Sequence, residues 1–451
     1  MAGLSQLGAD MSNKLLILGA GADRTTGIEF PMANTLLPAI AQYLEGEGKP
    51  VDEALRNALP GLRFTFVRLI NSAIDHLTNR EIGELKSVVQ RVQEVVDKIS
   101  DDSSIVKKQG ILIIRLFNKL VGVATESQID EETFGLIKEV FPDNTQDIDS
   151  YDSIVDIHKL PLSDTFKSIF KATLKQSLST SSNDVANALG VDMLDVEKLL
   201  IDKFLGFYNN KSSEIKNYIY ISWCLWAFLV HRQQKVLEAQ ASNVLPFYGN
   251  IPRDIQALTL NYTSFLENEL GREQCVYFHG GLAEYVRMDT RDLILIENIV
   301  DCDPADLITN EIAPNIDVSD DNPEHQRHVI PALVPPLRLK PILSHKYIEL
   351  WHKALEWVHQ AEKIVVVGYS FNTADEHFND IMRVNHGKMF DIVGPAVHDR
   401  SFILRIEKVL GIPHANWAAC HVQGKSAKKA GNVRLIKANA DEVNLSELFI
   451  G

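Results

Sequence analysis

The sequence predicts an α/β protein whose parallel sheet is split by a large all-helical insertion. Three observations predict it. Apolar, strand-like runs ending in Gly, Asn or His occur at residues 13–18 and again from residue 257 onward. Between them, residues 50–245 show helical periodicity and no strand alternation. The length, 451 residues, exceeds what one ordinary core accommodates. The expected division is therefore a split catalytic domain, 13–49 with 246–451, and a helical insertion, 50–245.

The first element is Asn13-Lys14-Leu15-Leu16-Ile17-Leu18, a buried strand entering the turn Gly19-Ala20-Gly21-Ala22. A strand running into closely spaced glycines opens Rossmann-type nucleotide-binding sheets, where the turn lets backbone approach a pyrophosphate at a helix N-terminus. The third glycine of that fingerprint is missing, so a plain glycine turn explains the motif equally well. Asp23 and Arg24 follow, either in the same pocket or as a solvated charge pair. A helix is expected over Asn34–Leu44.

Within the insertion, Ile82, Leu85, Val88, Val89, Val92, Val95, Val96 and Ile99 recur at three- and four-residue steps, which marks one amphipathic helix. Residues 163–178 and 191–207 read similarly. Tyr218 to Val230 is apolar except for Ser222, too short to span a bilayer, and reads as a core helix carrying Tyr218, Tyr220, Trp223, Trp226 and Phe228.

Strand-like runs return at 257–260, 276–278, 329–334, 364–367, 390–393 and 433–436. Glu297 to His328 carries nine acidic residues against the single Arg327 and three prolines, and is expected to be a solvated loop. Asn261 closes one run and His279-Gly280-Gly281 another. Gly368-Tyr369-Ser370 closes a third, with Asp375 five residues past the serine, and Gly394-Pro395 closes a fourth. Singly, each has a structural explanation: a strand-end amide, a core histidine, a strand-to-helix turn. Together they put an amide, an imidazole and two small-residue turns at one sheet edge, where α/β sheets bind ligands.

Composition narrows the classes. The 45 basic and 60 acidic residues leave a net charge of −15, which argues against general nucleic-acid binding. Hydrophobic content of 45% and charged content of 23% are those of a soluble globular protein. The four cysteines, Cys224, Cys275, Cys302 and Cys420, are scattered, indicating neither disulfide framework nor zinc ribbon; a cytoplasmic location is expected, with no membrane segment. His345, His352 and His359 recur at seven-residue steps, a spacing for a solvated helix face rather than a metal site.

Gly19-Ala20-Gly21, Leu260-Asn261-Tyr262, Phe278-His279-Gly280, Val334-Pro335-Pro336-Leu337-Arg338-Leu339-Lys340 and Gly368-Tyr369-Ser370-Phe371 with Asp375 resemble the sirtuin-like NADases of bacterial antiphage defence. The resemblance covers residues 13–45 and 250–440. It implies a sirtuin-like sheet, NAD+ as substrate, and Asn261 and His279 as catalytic residues acting on the nicotinamide ribose, the attacking water or the ribose hydroxyls. It puts the Gly19-Ala20-Gly21 turn at the phosphates and the Gly368-Tyr369-Ser370 turn near the adenosine half, and Thr263 where the family has an aspartate; Ala22, Asp23, Thr263, Asp375 and Gly394 complete the cofactor-binding candidates. No cysteine quartet is present for the structural zinc of protein-deacylating sirtuins, so no metal is expected. Residues 27–32, Gly-Ile-Glu-Phe-Pro-Met, lack the cofactor-loop arginine of those enzymes. These departures favour NAD+ hydrolysis; deacylation or ADP-ribosyl transfer is the second reading, and a non-catalytic nucleotide-sensing scaffold the third. The resemblance further implies a homo-oligomer and a partner such as a HerA-type ATPase, an Argonaute-like protein or a Thoeris-like phage sensor. No P-loop is present, so any ATPase would be supplied by another chain.

Overall fold

The computed structural model describes residues 13–31, 33–66, 68–69, 82–121, 131–140, 173, 211–240, 245–318, 326–334, 341–372, 375–412 and 416–450. It is a mixed α/β protein with twelve α-helices and eleven strands among those residues. The expected helices at 163–178, apart from Thr173, and at 191–207 fall outside the described residues, as does the 335–340 motif.

The strands are β1 (Lys14–Leu18), β2 (Gln256–Thr259), β3 (Cys275–Tyr277), β4 (Glu284–Arg287), β5 (Leu293–Leu295), β6 (Val329–Pro331), β7 (Lys363–Val367), β8 (Met389–Gly394), β9 (Ala418–Val422), β10 (Lys425–Ala430) and β11 (Val433–Lys437). Eight form one sheet in the order β3-β2-β1-β7-β8-β11-β10-β9. The first six are mutually parallel; β10 and β9 add antiparallel at one edge. Counted along the sheet, the parallel strands run third, second, first, fourth, fifth, sixth, the doubly wound order. The order reverses between β1 and β7, so the crevice beyond their C-terminal ends is the switch point. Continuous Leu, Ile and Val in β1 and β7 suit strands buried on both faces.

One correction concerns the run at 329–334. It contributes β6 to a separate three-stranded antiparallel sheet, β5-β4-β6, and not to the main sheet. A second concerns the acidic segment. Residues 304–315 are helical, with Leu307, Ile308 and Ile312 buried. Pro304 starts the turn and the Asp303 carboxylate caps it, accepting from the amides of Ala305 and Asp306 at 2.8 and 3.1 Å. Asp306 and Glu311 lie on this helical stretch, while Asp320, Asp321 and Glu324 fall outside the described residues.

The chain divides into two compact units whose boundaries differ from 50 and 245. One comprises residues 1–30, 48–62 and 203–451; the other comprises 31–47 and 63–202. In the second, the helices Ile82–Val96, Ile105–Val121 and Glu131–Val140 pack in succession, burying Val92, Leu112, Leu116 and Val140. The first holds both sheets together with the helices Lys49–Ala58 and Ser212–Ala239. Ser212–Ala239 is buried along Tyr218 to Val230, as the apolar run predicts. Its indoles fasten it to the chain around the small sheet: Trp223 Nε1 donates to the Val329 carbonyl at 2.9 Å and Trp226 Nε1 to the Leu282 carbonyl at 2.8 Å. No helix among the described residues is long and apolar enough to cross a membrane.

Candidate active site

The turn after β1 and the turn after β7 are packed backbone to backbone. Gly19 N donates to Val367 O at 3.0 Å, Gly21 N to Gly368 O at 2.9 Å, and Gly368 N to Val393 O at 3.1 Å. A Cβ on Gly21 would lie 2.6 Å from Gly368 Cα, and one on Gly368 would lie 2.5 Å from Ala22 N. The glycines are therefore demanded first by this mutual approach. Gly394, buried at the end of β8, lies next to Val393, which ties the third turn to the other two. Ala20 and Ser370 are exposed, and Ser370 O accepts from Arg405 Nε at 3.1 Å.

Asp23 is no solvated partner of Arg24. It is buried, whereas the exposed Arg24 donates to Phe30 O at 3.1 Å. The Asp23 carboxyl accepts from Tyr248 Oη and, at 2.8 Å, from Thr263 Oγ1. Burial lifts its pKa to about 6 against these hydrogen bonds and one from Asn261, all of which favour the charged form. Asn261 also donates through Nδ2 to Gly19 O at 3.0 Å, and its backbone N–H is held by Thr259 Oγ1 at 3.0 Å. Thr263 thus addresses Asp23 rather than standing free to meet a ligand.

His279 follows β3 and is buried. Its Nδ1 lies 3.2 Å from Leu260 O, a contact that requires a proton on Nδ1. Its Nε2 lies 3.2 Å from Asp375 Oδ1, off the line of a well-aligned hydrogen bond, and has no other partner. That leaves Nε2 as the atom able to take up or release a proton, with the carboxylate beside it. Gly280, at φ +77°, turns the chain directly after the histidine; a Cβ there would run into Ala332 O and Tyr347 Oη. On either side of Asp375, Tyr369 Oη donates to Asn379 Oδ1 at 2.9 Å and Asn379 Nδ2 to Asn372 O at 2.8 Å. Within it Phe371, buried, adopts φ +53°, a conformation that strains an aromatic residue by about 1–3 kcal/mol and recurs at functional loops.

Beside Tyr262 and Gly280-Gly281 lies a cavity of about 300 Å³ also lined by Tyr277 and by Ser264, whose hydroxyl lacks a partner. Among the described residues, no three His, Cys, Asp or Glu side chains come together as metal ligands.

Of the sequence-predicted residues, Asn261 is bonded to Gly19 and Thr263 to Asp23, Gly21 is bonded to Gly368 in the turn contact beside them, and His279 pairs with Asp375. Asp375, a cofactor-binding candidate in the sequence, stands against His279. Tyr248 escaped notice. Its only signal is Pro246-Phe247-Tyr248-Gly249-Asn250, an aromatic turn just ahead of β2.

No family model, curated protein or solved structure matches the chain. What fold and site define is a class: an α/β protein with a Rossmann-like sheet, a buried cluster of Asp23, Asn261 and Thr263 beside the turn after β1, and a His279–Asp375 pair.

Proposed function

We propose that the chain is an NAD+ hydrolase of sirtuin-like type, cleaving the nicotinamide N-glycosidic bond to give nicotinamide and ADP-ribose. The observation that carries this reading is the His279–Asp375 pair, 3.2 Å apart, beside the strand end that supplies Asn261, at the switch point of the sheet. Dinucleotides lie across this crevice in sheets of this strand order.

In the proposed reaction a water oxygen attacks C1′ of the nicotinamide ribose and the C1′–N1 bond breaks. Nicotinamide leaves neutral with the bond's electron pair. The water's proton passes to His279 Nε2, where the Asp375 carboxylate stabilises the imidazolium, and from there to solvent. Asn261 Oδ1 accepts a hydrogen bond from the water or from a ribose hydroxyl. Closing the site with buried strand ends shields the oxocarbenium-like transition state from random solvent. A role in antiphage defence by NAD+ depletion, in the cytoplasm and under control of oligomerisation or of a partner such as a HerA-type ATPase or an Argonaute-like protein, belongs to the same reading.

Nicotinamide and ADP-ribose released from NAD+ by the purified chain, alone and with its genetic neighbour, test it. Asn261→Ala and His279→Ala are each expected to lower kcat by roughly 10²–10⁴-fold, and Asp375→Asn by a smaller factor. Turnover that survives both of the first two, or consumption of acyl-lysine in step with nicotinamide release, would refute hydrolysis at this site.

A further inference from the structure

The two ends of the main sheet are finished differently. β3 is three residues long and has the helix His345–Gln360 packed against it. β9, at the other end, is five residues long, and its Ala418, Ala419 and His421 are exposed. Edge strands are usually guarded by lysine, proline or a bulge, because their unpaired N–H and C=O groups recruit other strands. Ala418-Ala419-Cys420-His421-Val422 has neither lysine nor proline, and its pairing with β10 runs without a bulge from Ala418–Lys429 to Val422–Lys425.

The hairpin fixes which groups of β9 point outward. Val422 and Lys425 flank a two-residue turn in which Gln423 and Gly424 both have positive φ, 50° and 73°. In such a type I′ turn the two flanking residues bond to each other. Partners in an antiparallel ladder alternate, so Cys420 and Ala418 also bond inward to β10, while Ala419 and His421 turn their N–H and C=O groups away from it. Neither of these two has another backbone partner among the described residues.

We propose that β9 is the twofold interface of a homodimer, in which it pairs antiparallel with β9 of a second copy about an axis through Cys420. In this register Ala419 and His421 of one copy face His421 and Ala419 of the other, and the two pairs exchange four backbone hydrogen bonds. A second copy is the occupant that the strand itself specifies, because the axis sets small side chains against larger ones: Ala418 opposite Val422 and Ala419 opposite His421. Charge does not oppose the pairing, although the whole chain stands at −15. The strand contributes no carboxylate, and Lys425 is already paired with Glu442 at 3.2 Å. Lys428 and Lys429, on β10, would stand three strand spacings from β10 of the second copy, about 14 Å and beyond the Debye length at physiological salt. The seam is about 17 Å long, which places it among interfaces below about 1,200 Å², so association is weak and depends on concentration. None of this depends on the reaction proposed for the site.

Cys420 reports the register. It meets its own counterpart as a non-hydrogen-bonded pair, with Cα atoms about 4.5 Å apart, within the range of about 4.4–6.8 Å that a disulfide spans. Cys224 and Cys275 are buried, which leaves Cys302 as the control.

Sedimentation equilibrium over a range of concentrations tests the proposal on the full chain, together with oxidation by diamide, which takes two protons and two electrons from a thiol pair. The variants are Cys420→Ser, Cys302→Ser, Ala419→Pro and Ala419→Lys. Proline at 419 removes an N–H that points away from β10, so the hairpin keeps its own ladder while two of the four bonds between copies are lost; lysine at 419 guards the edge and serves if proline unsettles the hairpin. Wild type is expected to show a monomer–dimer equilibrium whose dissociation constant rises by roughly ten-fold or more in both Ala419 variants. Diamide is expected to give a thiol-reversible dimer from wild type and Cys302→Ser and none from Cys420→Ser. A monomer at every concentration, a dissociation constant unchanged in both Ala419 variants, or a crosslinked dimer formed equally by Cys420→Ser overturns the proposal. So does an edge that stays free in the pure chain and captures an extended peptide instead, because the occupant is then not a second copy.

Discussion

Gly368→Ala tests whether the switch point is held by the contact between its two turns. The new Cβ would sit 2.5 Å from Ala22 N and 2.6 Å from Gly21 Cα, against an ordinary contact distance of about 3.5 Å. The neighbours are backbone, so the turns must part by about 1 Å, breaking Gly21 N to Gly368 O and Gly19 N to Val367 O. Each lost buried bond removes about 1 kcal/mol, and alanine at φ +68° adds about 1 kcal/mol more. The sum, about 3 kcal/mol, corresponds to a fall in Tm of roughly 5 °C for a unit of this size. Gly411→Ala is the control: φ is +63°, yet nothing lies within 4 Å of the added carbon, so only the conformational penalty and a fall of roughly 1–2 °C are expected. Differential scanning calorimetry on both variants decides. Equal shifts would show that backbone proximity contributes nothing, and the argument for these glycines would fail. A turn displaced by 1 Å is also expected to lower nicotinamide release by roughly 10²-fold.

Three further predictions follow from buried polar groups. Because Asp23 titrates at about 6 in the folded chain against 3.8 unfolded, the fold holds that proton more tightly. The contribution of Asp23 to stability is therefore greatest below about pH 4 and falls by roughly 3 kcal/mol as pH rises through 6; the difference in urea midpoint between wild type and Asp23→Asn is expected to show this decline. Asp391, buried in β8, holds Lys363 Nζ at 2.8 Å and Arg434 Nε at 2.5 Å. Asp391→Asn leaves a buried ammonium without its counter-charge and is expected to lose about 3–5 kcal/mol in urea unfolding, while kcat of the folded fraction stays at the wild-type value. Trp226→Phe leaves Leu282 O without its indole donor and is expected to destabilise by about 1–3 kcal/mol; a change below 0.5 kcal/mol would mean the indole does not anchor the helix.

The parallel strands were legible because β1, β2, β3, β7, β8 and β11 are short apolar runs ending in turn residues, the pattern that burial on both faces imposes. β9 and β10 were not: Ala418-Ala-Cys-His-Val and Lys425-Ser-Ala-Lys-Lys-Ala lie half in water at the sheet edge and carry little apolar signal. Periodicity showed that Tyr218 to Val230 is buried but not against what, so the Ser212–Ala239 helix was assigned to the insertion when its indoles belong with the sheets. In the site, Asn261 and His279 announce themselves by closing apolar runs. Asp23 looked solvated because a charged pair in sequence says nothing of which partner turns inward, and Tyr248 acts across 225 positions to Asp23, a distance no local pattern encodes.

The central place of β1 also bears on synthesis. Its two hydrogen-bonding neighbours are β2, beginning at Gln256, and β7, beginning at Lys363. A ribosome adding about 5–20 residues per second needs roughly 20–70 s to travel from Leu18 to Lys363, and closing so long a loop slows pairing further. Until Asp375 has emerged, His279 has no carboxylate beside it and the turn after β1 has nothing to lean on. A polysome bearing this message would therefore carry chains on which the strands and turns of the site are not yet joined, until the ribosome has passed Asp375.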